Sequence, residues 1–134
     1  MRRLAVLLVA LCLPGVAVAA TGPCADLEAQ QDRNACIGAA LGEADAALNR
    51  AYRQLGDRLD ANGRRNLVAA QRAWIVFRDR ECELRSGYDT QDPGNNGTLA
   101  PFLVGDCKRD LTGRRTADLL DQLTCPGGDP SCTR

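Results

Sequence analysis

The stretch CIGAALGEADAALNRAYRQLGDRLD, residues 36–60, decides the architecture. Its apolar positions Ile37, Leu41, Ala44, Leu48, Ala51, Leu55 and Leu59 step by four, three, four, three, four and four. Such steps keep side chains on one side of a helix, so the stretch carries a single buried stripe. Ala39, Ala40, Ala46, Ala47, Arg50, Arg53 and Gln54 fill the remaining positions with good helix formers, and local propensity agrees with the pattern. The spacing predicts a first helix from about Asp32 to Asp60.

Asn62-Gly63 tolerate positive φ and are read as the break. A second stripe, Leu67, Ala70, Trp74 and Phe77, then predicts a helix from about Arg64 to Arg85. Two long amphipathic helices joined by a short connection make an αα-hairpin. The segment from Ser86 to Gly97 is dense in turn formers and nearly devoid of apolar residues, so it reads as a surface loop, either a variable contact surface or a passive connection. Thr98 can cap a third helix with Pro101 in its first turn, where a missing amide costs nothing. Leu99, Phe102, Leu103, Cys107, Leu111, Leu119, Leu120 and Leu123 supply its expected buried side, with Gly105 and Gly113 weakening or bending it. The expected fold is all-α: a small, disulfide-stapled three-helix domain built on an αα-hairpin of two long helices.

Upstream, Arg2-Arg3, the apolar run Leu4 to Leu13 and the small residues Ala17-Val18-Ala19-Ala20 follow the order of a secretory signal peptide. The run is far shorter than the roughly 20 residues a membrane span requires. Cleavage after Ala20 gives residues 1–20 as signal peptide, 21–123 as the helical domain and 124–134 as a tail. Of seven cysteines Cys12 leaves with the signal, and Cys24, Cys36, Cys82, Cys107, Cys125 and Cys132 remain. An even number in an exported chain reads as disulfides. Cys125 and Cys132 enclose a Pro- and Gly-rich loop and are expected to pair with each other. With no CxxC pair and no histidine, no metal site is expected.

The mature chain, without Arg2 and Arg3, has 15 basic residues against 17 acidic, a net charge of −2. Arginines and acids are interspersed, so no nucleic-acid-binding stripe forms. Histidine, the commonest general base, is absent, and oxidised cysteines offer no thiolate; no catalytic residue and no cofactor is assigned. Asp79 and Glu83, four apart, read as solvent-facing acids. The run Ala70 to Cys82 sets Trp74 as anchor and Arg78 one turn later, where its stem can lie on the indole while its head pairs with a carboxylate. Tyr52, Trp74 and Phe77 read as core, and Asn49 and Gln71 as amides that exchange hydrogen bonds across the hairpin.

At these residues the chain resembles the LprI-type lysozyme-inhibitor domain family of small secreted bacterial domains. The resemblance is carried by Cys24, Cys36, Leu48-Asn49, Tyr52, Leu55, Ala70-Gln71-Arg72-Ala73-Trp74, Arg78-Asp79, Cys82, Gly97-Thr98, Pro101, Cys107, Thr112, Arg115 and Leu119. It implies an exported helical domain, periplasmic or secreted, in which four cysteines form two disulfides, and a protein partner, lysozyme for the family's namesake. The chain departs from that namesake, a lipoprotein, because Cys12 follows Leu11 inside the apolar run; Cys125 and Cys132 lie beyond the family pattern.

Six cysteines allow fifteen pairings. In a hairpin turning near Asn62, Cys82 is level with about residue 42, which favours Cys24 with Cys82 and Cys36 with Cys107; the rival is Cys36 with Cys82 and Cys24 with Cys107. An inhibitor of lysozyme must cover a cleft containing two carboxylates, and the loop residues Asp89, Asp92, Asn95 and Asn96 are the expected contact region. The competing expectation is an envelope interaction module with a different protein partner.

Overall fold

The computed structural model describes residues 22–124, so the expected signal segment and the Cys125–Cys132 pair lie outside the described residues. Three helices form: α1 (Gln30–Arg58), α2 (Ala61–Ser86) and α3 (Ala100–Thr124), with a single 3-10 turn at Pro93–Asn95. No strand occurs among the described residues, and no helix there is long and apolar enough to cross a membrane.

The break between α1 and α2 falls at Leu59 and Asp60, just before Asn62-Gly63. Leu59 is extended, and the carboxylate of Asp60 accepts the Gly63 amide at 2.7 Å, an N-cap that satisfies one of the free donors of the first turn. Asn62 and Gly63 are therefore the first turn of α2 rather than the break. At the other end Gly87, at φ 67°, closes α2: its amide bonds Leu84 and the Tyr88 amide bonds Glu83. Only glycine takes that left-handed position without steric penalty. In α3 Pro101 lies in the first turn as expected, although the helix begins at Ala100, after Thr98.

Cross-helix contacts define an up-down-up arrangement. Asp45 meets Arg78 and Gly56 meets Leu67, so α1 and α2 are antiparallel. Arg78 meets Thr112 and Gln71 meets Arg115, so α2 and α3 are antiparallel. Asn34 meets Thr98 and Ile37 meets Gly105, so α1 and α3 are parallel. The main backbone packing is α3 along α1, with α2 touching α3 over a shorter stretch.

Leu48, Ala51, Leu55, Leu67 and Leu119 form the core, flanked by Tyr52, Leu59, Trp74 and Leu123. The α1 stripe is buried along Ile37, Leu48, Ala51 and Leu55. On α2 the expectation is corrected: Ala70 is exposed and Phe77 is 52% exposed. The inward line is Leu67, Gln71, Trp74, Arg78 and Cys82, each buried or half-buried. Two of those five are polar, so an apolar count places the face about a quarter-turn away from where it lies. Leu99, just ahead of α3, and Leu103 and Leu120 on it are likewise exposed, and Ala100, Gly105, Leu111, Thr112 and Leu119 are buried. Small residues face α1 because the backbones approach closely. A Cβ at Gly105 would stand 3.1 Å from Ile37 Cγ2, so this glycine serves close packing rather than a bend.

Both expected disulfide pairings within the helical fold are overturned. Cys24 pairs with Cys36, at a Cα separation of 5.8 Å, and Cys82 with Cys107, at 5.6 Å. Cys82 turns to α3 because α2 and α3 also form a hairpin, whose middle in sequence lies between Gly94 and Asn95, equidistant from Cys82 and Cys107. Ahead of α1 the chain folds back on itself: Cys24 takes a left-handed φ of 71°, and the Arg33 guanidinium donates to the carbonyls of Leu27 and Ala25. That local return presents Cys24 to Cys36, one turn after Arg33.

Candidate functional site

The charged residues of α2 that face inward meet in one place. Arg78, with its side chain only 12% exposed, donates to Asp45 of α1 at 2.9 Å and to the hydroxyl of Thr112 of α3 at 3.1 Å. Its Nε also reaches Asp79 at 3.1 Å, and Asp79 receives Lys108 of α3 at the same distance. The guanidinium lies over Trp74, 5.4 Å from the ring centroid, where the negative face of the indole favours a cation. One arginine thus touches all three helices. Thr112 is fully buried, and no buried side-chain polar atom among the described residues is left without a partner.

Asp79 shows the electrical balance of this cluster. Burial disfavours its charged form, but hydrogen bonds and charge from Lys108 and Arg78 outweigh that and hold the carboxyl below its ordinary value. Asp79 is therefore not a solvent-facing mate of Glu83. Glu83 instead accepts Arg80 on the exposed side of α2.

Above the cluster lies a shallow groove of about 270 Å³ between α1 and α2, lined by Asp45, Leu48, Asn49, Tyr52, Gln71, Ile75 and Arg78. The expected exchange between Asn49 and Gln71 does not occur: the Gln71 amide oxygen accepts from Arg115 at 3.2 Å, while Asn49 stands exposed at the groove edge. Sequence reasoning brought Asn49, Tyr52, Gln71, Trp74, Arg78 and Asp79 together as motif residues. It missed Asp45 and Lys108, which lie on different helices and complete the ion network. A register about Asn62, 17 residues after Asp45 and 16 before Arg78, is the signal that finds Asp45; Lys108 is found only from the packing of α3 on α2.

The second candidate region is the loop between α2 and α3. Asn96 knits it: its amide oxygen accepts the Asp89 amide at 2.6 Å, and its amide nitrogen donates to the carbonyls of Asp89 and Pro93 at 2.9 and 3.1 Å. The Asp89 carboxylate in turn accepts the amides of Gln91 and Asp92 at 2.8 and 3.1 Å, an Asx-turn geometry. The four expected contact residues thus divide. Asp89 and Asn96 shape the loop, whereas the exposed side chains of Asp92 and Asn95 make no side-chain hydrogen bond among the described residues. The loop is anchored to the bundle at both ends, by the Gly87 cap and by the Asn34 amide on the Thr98 carbonyl at 3.0 Å. Among the described residues no group of three or more His, Cys, Asp or Glu is placed to hold a metal ion.

The family model described as lysozyme inhibitor LprI matches residues 23–119, which contain the ion network, the groove and the whole loop. An uncharacterized protein of Rhizobium meliloti (strain 1021) is 36% identical over 114 residues, 75% of this chain and 78% of that protein. No solved structure gives a significant match. A match across nearly all of the three-helix unit, with its cysteines and its Arg78 cluster inside the matched span, places this chain in the LprI lysozyme-inhibitor family.

Proposed function

We propose that this chain is exported to the periplasm or beyond and inhibits lysozyme, or a related wall hydrolase, by seating its α2–α3 loop in the active-site cleft. Two disulfides and membership of a lysozyme-inhibitor family suggest an extracytoplasmic protein. The observation that carries the reading is the loop's construction. A loop already held by Asn96 and Asp89 loses little conformational freedom on docking, so contact energy is not consumed in ordering it. Asn95 and Asp92 are then presented outward, an amide able to donate to a cleft carboxylate and an acid able to meet the basic rim of a cationic enzyme. With a mature charge of −2, long-range steering is weak, and local fit dominates. The chain acts as a binder rather than a catalyst, consistent with a family of inhibitors and a sequence without histidine.

The test is muramidase activity on cell walls with lysozymes of several classes and increasing amounts of this protein. Dose-dependent loss is expected with at least one class. Asn95→Ala with Asp92→Ala should weaken it about tenfold or more while leaving the fold intact, and Asn96→Ala should weaken it through loop ordering. Full activity of every class at stoichiometric excess overturns the reading.

A further inference from the structure

The face of α2 turned away from the bundle is apolar. Val76 is 62% exposed, Phe77 52% and Leu84 77%, and the small exposed residues Ala69 and Ala73 extend the same ridge toward the helix start. Arg80 is the one charged residue within it. At helical spacing these six residues share one side, opposite the inward line of Leu67, Trp74, Arg78 and Cys82. Contiguous exposed apolar patches are where folded proteins meet partners, and the spacing along this one bears on which partner fits it.

The ridge is complementary to itself. When two copies of α2 lie antiparallel, with the two-fold axis passing between Val76 and Phe77, Ala69 of one falls opposite Leu84 of the other. Ala73 falls opposite the stem of Arg80, and Val76 opposite Phe77. Alanines thus face Leu84 and the Arg80 stem, with Val76 against Phe77 at the axis, so ridges can interdigitate at ordinary helix spacing. Charge agrees with this register. Arg72 flanks the ridge, is exposed, and has no carboxylate partner among the described residues. Glu83 flanks it on the same side and is held nearby by Arg80 at 2.8 Å. The two-fold brings Arg72 of each copy alongside Glu83 of the other, giving two symmetric ion pairs at the rim.

We infer that the outward face of α2 is a homodimer interface, in which a second copy of this chain packs its own α2 antiparallel through Val76, Phe77 and Leu84. The α2–α3 loops then lie at opposite ends of the pair, and the dimer does not rest on the lysozyme reading. One ridge of six residues falls at the small end of stable interfaces, which makes the dimer weak and concentration-dependent.

Sedimentation equilibrium of the purified, disulfide-intact protein tests this between about 5 and about 500 μM, the range in which so small an interface assembles. The expected result is a mass rising from one chain toward two. Phe77→Asp should stay monomeric throughout, and its unchanged circular dichroism would show that the fold survives. Arg72→Glu should weaken the dimer about tenfold, and adding Glu83→Arg should restore it. A chain monomeric at the highest concentration overturns the inference and leaves the ridge to a partner of another kind. A dimer insensitive to Phe77→Asp and to Arg72→Glu overturns it as well.

Discussion

The guanidinium of Arg78 donates to the hydroxyl of Thr112 at 3.1 Å, and Thr112 is fully buried while Arg78 still touches Asp45 across the bundle. The bond is short-range, but it couples the register of α2 to that of α3 and, through Asp45, to α1.

Removing either partner should therefore destabilise the whole bundle rather than one helix. Thr112→Val should cost about 1 kcal/mol, the ordinary loss of one buried hydrogen bond. Arg78→Leu should cost about 2–3 kcal/mol, less than for a fully buried pair because Asp45 and Asp79 remain partly hydrated. The double variant should lose less than the sum, since both changes break the same bond. Urea denaturation with matched slopes checks all three.

Asp79 carries the acid sensitivity of this cluster. Its folded carboxyl sits below the ordinary value of 3.8, so its contribution is present in full above that value and is lost as pH falls through the lower folded one. Asp79→Asn should be less stable than the parent near neutral pH. In melting temperatures recorded from about pH 7 down to about pH 2.5, the gap should begin to narrow below about pH 4 and continue to close as pH falls further. A constant gap across that range would contradict the assignment.

The two disulfides should contribute unequally. Cys82–Cys107 spans 25 residues and joins two helices, so Cys82→Ser with Cys107→Ser should lower global stability by roughly 3 kcal/mol on the chain-entropy account. Cys24–Cys36 spans 12 residues and holds only the segment ahead of α1. Its double serine variant should shift the global transition less, while protease susceptibility and amide exchange rise selectively before Gln30.

Two glycines in one helix should respond in opposite directions to the same substitution. Gly113 has no atom within 4 Å of an added Cβ, so Gly113→Ala should stabilise by about 0.5–1 kcal/mol through helix propensity. At Gly105 the same methyl meets Ile37, which is 1% exposed and cannot yield freely. Gly105→Ala should therefore destabilise by about 1 kcal/mol despite the same propensity gain. Thermal melts of the two variants side by side decide the point.

The sequence by itself determined the helices, their number and the α1 face, because Ile37, Leu48, Ala51 and Leu55 repeat at helical spacing and burial follows from local periodicity. It also marked Trp74 and Arg78 as neighbours, because residues four apart on a helix stack. Tertiary structure alone decided the inward face of α2 and the cysteine partners. Gln71 and Arg78 face inward only because Arg115, Asp45 and Thr112 are waiting on other helices, and no apolar pattern records a polar group satisfied from a distance. Cys24 turns to Cys36 through a backbone return held by Arg33, and Cys82 meets Cys107 only once α2 and α3 are laid antiparallel. Periodicity is a property of one helix, whereas these pairings are properties of how three helices pack together.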